Sequence, residues 1–123
     1  MTARLDELKL WASEEVGDII ESLPDELAEK ARAVPVTLET APSPGLVGDG
    51  IAPDTLGLFA GAERDYDQIE PIPPQIILFL ENLWDFCDAD EEVFREEVRR
   101  TYMHELGHYL GLNEDDLWDR GLD

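Results

Sequence analysis

His104, Glu105 and His108 stand in the pattern H-E-x-x-H, and they include both histidines of the chain. On an α-helix, residues four apart are separated by about 40° around the axis and about 6 Å along it. His104 and His108 can therefore point their imidazoles at one metal ion, the arrangement of a zinc motif. Glu105 lies about 60° from His108 around the axis, so its carboxylate can reach a water held by the metal without being a ligand itself. A three-letter pattern also arises by accident, and a His or Glu on a polar helix is commonly just solvated, so the flanking residues decide. Gly111 follows seven residues after His104 and Glu114 ten after it, giving H-E-x-x-H-x-x-G-x-x-E. Glycine leaves a helix readily in the left-handed conformation. Gly111 is expected to end the helix and turn the chain, carrying Glu114 toward the metal as a third ligand.

Such a site needs a helix backed by a core. From the acidic residues Asp88 and Asp90, either of which can cap it, a helix is expected to run to about Leu110. Phe94, Val98, Tyr102, Leu106 and Tyr109 fall within an arc of about 120° on it, the width of a buried stripe. His104 and His108 lie just outside one edge of that stripe, held by the core yet open to a cleft. Upstream, Leu5 to Leu23 carries apolar residues at helical spacing. Pro24, followed by Asp25 and Glu26, opens a second helix to about Ala33. Val34 to Ala41 alternates and reads as a strand. Pro42 to Pro53, rich in proline and glycine, reads as a loop; Asp49 and Asp54 in it match no calcium-loop spacing. Thr55 to Gly61 is a short strand. Gln75 to Leu80 is the most strand-like run, continuously apolar and so buried on both faces. Asn82 to Cys87 forms a short helix or turn with Trp84 and Phe86 as core candidates. The order predicts an α+β fold, one small sheet packed against helices.

The whole chain of 123 residues is the size of one domain. Its net charge of −21, from 30 acidic against 9 basic residues, repels nucleic acid phosphates and anionic membranes. Neither is expected as a partner. No run approaches the roughly 18 to 20 apolar residues of a membrane span. The first residues mix Arg4, Asp6, Glu7 and Lys9 with apolar ones instead of forming a leader, and the lone Cys87 permits no internal disulfide. A cytoplasmic location is the expectation. The acidic surface would favour cationic or neutral peptides over acidic ones.

Thr101 to Glu114, T-Y-M-H-E-L-G-H-Y-L-G-L-N-E, resembles the T-x-x-H-E-x-x-H-x-x-G-x-x-D segment near the end of the small bacterial zincin-like metallopeptidases, the minimal zincins. Pro74 to Phe79, followed by Glu81-Asn82-Leu83, is similar to the segment before the active helix in that family, and Leu56-Gly57-Leu58-Phe59 to its short glycine-containing strand. The resemblance covers roughly residues 34 to 117 and implies a single zincin-like domain over residues 1–123. It implies a mixed sheet of three to four strands and a C-terminal active-site helix. It further implies Zn2+ held by His104, His108 and an acidic third ligand, with Glu105 as the catalytic general base. The family has Asp at the third position where this chain has Glu114, with Asp115 and Asp116 beside it. Glu114 is favoured as the ligand, and Asp115 comes second.

The function expected is zinc-dependent hydrolysis of peptide bonds in peptides or unfolded protein. Tyr102 or Tyr109 could stabilise an oxyanion, although their place on the apolar stripe favours core packing for each. Trp118, Arg120 and the rest of the tail read as a lid or packing cap. The alternatives are a non-catalytic metal-binding or protein-interaction module that keeps the fold, and an interaction domain whose motif is empty. Retention of Glu105 favours catalysis, because a module that only binds metal has no need of a base there.

Overall fold

A computed structural model describes residues 2–60 and 74–110, with side chains from residue 4 onward. Within them the chain runs α1 (Thr2–Ser22), α2 (Asp25–Arg32), β1 (Val36–Glu39), α3 (Pro44–Gly48), β2 (Gly57–Ala60), β3 (Gln75–Phe79), α4 (Leu80–Phe86) and α5 (Glu91–Leu110). The fold is mixed α+β. Its sheet has the order β1-β3-β2, with β1 parallel and β2 antiparallel to the central β3. Ile76, Leu78 and Phe79 of β3 are fully buried and Ile77 nearly so, as expected for a strand covered on both faces.

Helix α5 is the wall shared by the two halves of the molecule. It packs on β2 and β3 toward the sheet and on α1 and α4 away from it. Its buried residues Phe94, Val98, Tyr102 and Leu106 recur every four residues, and they meet Leu8, Ala12, Val16 and Ile19 of α1 in one core. Tyr109 is only half-buried. The helix begins where a capping signal was expected, and Asp90 is the residue that caps it: its Oδ1 accepts from the backbone N–H of Val93 at 3.0 Å. Asp88 instead adopts a left-handed conformation (φ 55°), as does Ala89 (φ 59°), in the tight turn from α4. Helix α2 starts directly after Pro24. Asp25 and Glu26 in its first turn and Lys30 and Arg32 in its last complement the helix dipole.

Two sequence expectations are corrected. The proline- and glycine-rich stretch from Pro42 to Pro53 contains the short helix α3. The Ser43 Oγ accepts from the N–H of Leu46 at 3.3 Å, and Pro44 occupies the first turn, where its missing N–H costs nothing. Phe86 is not a core residue. It is 62% exposed, because α4 begins at Leu80, one residue after the strand ends, and that phase turns Leu80 and Leu83 inward. Trp84 does reach the core boundary, with its ring 5.8 Å from Trp11 and 5.6 Å from Phe94. No helix among the described residues is long and apolar enough to cross a membrane.

Candidate metal centre

The last two described turns of α5 place His104, Glu105 and His108 on the outward side of the helix, while Leu106 and Gly107 between them face inward. Both histidines are exposed and Glu105 is half-buried. One potential ligand atom from each of the three falls within 4.8 Å of the other two. The imidazole rings stand nearly perpendicular, at 87°, with centroids 4.7 Å apart. Their Nε2 atoms face each other at 3.2 Å, close enough for one to donate to the other. Two nitrogens each about 2.0–2.1 Å from a tetrahedral ion stand about 3.3 Å apart. The pair is thus spaced as two ligands of one tetrahedral ion, and nitrogen donors beside a carboxylate are a donor set that zinc accepts.

Glu114, Asp115 and Gly111 lie outside the described residues, as do Trp118 and Arg120. The third ligand therefore stays as the sequence has it. Tyr102 is wholly buried, its hydroxyl has no hydrogen-bond partner among the described residues, and burial pushes its pKa up to about 12. It belongs to the core and cannot touch a substrate. Tyr109 packs its ring against Phe59 of β2, 5.8 Å between centroids and 60° between planes.

The wall of the site is where sequence reasoning fell short. Strand β2 leans on α5 at two places that bracket the His-Glu-His turn: Gly57 meets the Thr101 side chain, and Phe59 meets Tyr109. The entrance to β2 is fixed by Asn82, whose Nδ2 donates to the carbonyls of Pro53 at 2.8 Å and Thr55 at 2.9 Å. One signal for this was on view, since a glycine within an apolar strand marks a close approach of another chain segment. The partner, Thr101, lies 44 residues away in sequence and could be located only in three dimensions.

A family model described as zincin-like metallopeptidase matches residues 31–122 of the chain. The match takes in the whole sheet, α4 and α5, and leaves α1 outside it. No curated protein matches.

Proposed function

The chain belongs to the zincin-like metallopeptidase family, and from that premise we propose that it is a zinc-dependent peptidase in which His104, His108 and Glu114 hold the ion and Glu105 is the general base. The observation that carries the reading is the 3.2 Å separation of the His104 and His108 Nε2 atoms, with Glu105 beside them. When bound, zinc supplies Lewis acidity, polarising a carbonyl and bringing the pKa of a water toward about 7. Glu105 takes the proton of the attacking water and passes it to the amine that leaves. A carboxylate one residue after the first histidine is suited to this role, being near the ion's place yet on a different radial line of the helix.

Among the described residues, β2 pairs on one side only, with β3. Its other edge offers main-chain groups to an extended peptide, which would give broad specificity through backbone hydrogen bonds. The large excess of acidic residues favours neutral or cationic peptides.

The test begins with metal content. Purified protein should carry about one zinc per chain, and His104→Ala should lose it; a chain that takes up no zinc under any loading would reject the reading. Glu105→Gln should keep the metal and lose peptide hydrolysis by a factor of about 100 or more. Hydrolysis that survives this change would remove Glu105 from the role of base. Zinc bound tightly with no cleavage across a peptide library would instead favour the non-catalytic module. Glu114→Ala should weaken zinc affinity, and an unchanged affinity would pass the third position to Asp115.

A further inference from the structure

Gly57 has no positive φ, so its backbone conformation does not call for glycine. The space around it does. A Cβ built there would stand 2.5 Å from the Thr101 Cγ2, with the Leu78 Cδ2 and the Ile77 carbonyl oxygen each at 3.4 Å. Non-bonded carbons settle at about 3.5–4.0 Å, so adding one methyl would push β2 and α5 apart by about 1 Å at this point. Thr101 cannot easily swing away. It is β-branched, and in a helix its χ1 is held to few rotamers. Nor can β2 slide along the helix, because Asn82 grips the carbonyls of Pro53 and Thr55 and the N–H of Phe79 donates to the Leu56 carbonyl at 2.9 Å. Gly17 and Gly48, by contrast, have nothing within 4 Å of a built Cβ.

We infer that the Gly57–Thr101 contact is the spacer that fixes the distance between the peptide-binding edge of β2 and the metal-holding turn of α5. Gly57 and Thr101 are thereby positioning residues for the substrate's main chain. The inference rests on the peptidase reading above. Thr101 precedes His104 by three residues and Glu105 by four, so it lies on the neighbouring turn of the same helix. The Phe59–Tyr109 ring contact at the other end of the turn keeps the strand alongside. An extended peptide on β2 brings its scissile carbonyl to the ion only if this separation is kept. A misplacement of about 1 Å is enough to cost on the order of 100-fold in rate.

The experiment uses the full chain loaded with zinc and two probes, acetohydroxamate, which needs only the ion, and a hydroxamate on a peptide of several residues, which needs the ion and the strand together. Gly57→Ala should weaken the peptidyl hydroxamate by about 10-fold or more and leave acetohydroxamate binding and zinc content unchanged. Thr101→Ser, which removes the opposing methyl, should restore peptidyl affinity in the double variant Gly57→Ala, Thr101→Ser. A loss confined to the longer probe and its rescue are the signature of positioning; a merely structural defect would weaken both probes. Equal peptidyl affinity in Gly57→Ala and the parent, or no rescue by Thr101→Ser, would overturn the inference while leaving the peptidase reading intact. If Gly57→Ala alone fails to fold, Thr101→Ser by itself should alter the longer probe's affinity and not the shorter one's, and no difference would reject the spacer. Absence of binding by either probe to the zinc-loaded parent chain would reject the peptidase reading, and the inference with it.

Discussion

The hydroxyl of Tyr102 is a buried donor with no acceptor among the described residues, and a buried polar group left unpaired costs about 1–3 kcal/mol. Tyr102→Phe should therefore fold at least as stably as the parent, with a gain of up to about 1 kcal/mol in urea unfolding. A clear loss of stability would mean that the hydroxyl has a partner. Because the side chain is enclosed, the same variant should also keep zinc affinity and any hydrolysis, which separates Tyr102 from the chemistry of the site. Cys87 makes a parallel case. Burial, reinforced by the negative charges of Glu97, Asp88 and Asp90, pushes its thiol up to about 11, so almost none is thiolate at neutral pH. Native protein at pH 8 should resist iodoacetamide and become reactive on unfolding, as mass spectrometry of the alkylated chain would read directly. Rapid labelling of the folded chain would place Cys87 nearer the surface.

Helices α1 and α5 are clamped by two carboxylates of α1, Glu14, which meets the Arg95 Nη2 at 3.0 Å, and the more buried Glu15. Glu15 accepts from the Arg95 Nη1 at 2.9 Å through one oxygen and from the Arg99 Nη1 at 2.8 Å through the other. Burial alone would raise its pKa, but the hydrogen bonds and charges of Arg99 and Arg95 outweigh this and hold it below the ordinary value. A depressed carboxyl contributes stability above its unfolded pKa of about 4.3 and loses it as pH falls through the lower folded value. Glu15→Gln should thus cost about 1–2 kcal/mol at pH 7, and the gap from the parent should close in unfolding curves taken below about pH 4. An offset independent of pH would assign the effect to packing. These long-range pairs also mark what could be read in advance. Helices α1, α2 and α5 and strand β3 were legible because each writes its burial as a local period or an unbroken apolar run. His104, Glu105 and His108 were legible for the same reason, being spaced along one helix. Helix α3 was hidden because proline and glycine dominate its composition, and the cap at Ser43 outweighs them. Phe86 was misassigned because hydrophobicity does not give the phase of a helix whose first residue is unknown. The seat of β2 on Thr101 depends on a meeting of distant segments, which no local pattern records.

At the scale of the molecule, 30 acidic residues face 9 basic ones, and the repulsion among the unpaired charges opposes compaction. Salt weakens the α1–α5 ion pairs and the repulsion together, and the greater number of acidic groups makes the second effect prevail. Raising NaCl from 0.01 to 1 M shortens the screening length from about 30 Å to about 3 Å, and the thermal midpoint should rise by about 5 °C, roughly 1 kcal/mol. A midpoint that falls would show that the ion pairs outweigh the repulsion. The excess of negative charge also bears on the partnership of α1 and α5. Helix α1 lies outside the family match, yet it covers the face of α5 that the sheet does not. Its last residue, Ser22, and the first of α5, Glu91, are 69 positions apart. A ribosome adding about 5–20 residues per second needs about 3–14 s to make that interval. During that time the apolar stripe of α1 has α2 and later α4 to lean on, and its main cover has yet to be made. The excess charge keeps the growing chain apart from other copies of itself during that interval, and the turn that bears the histidines is made after every described strand and helix that supports it.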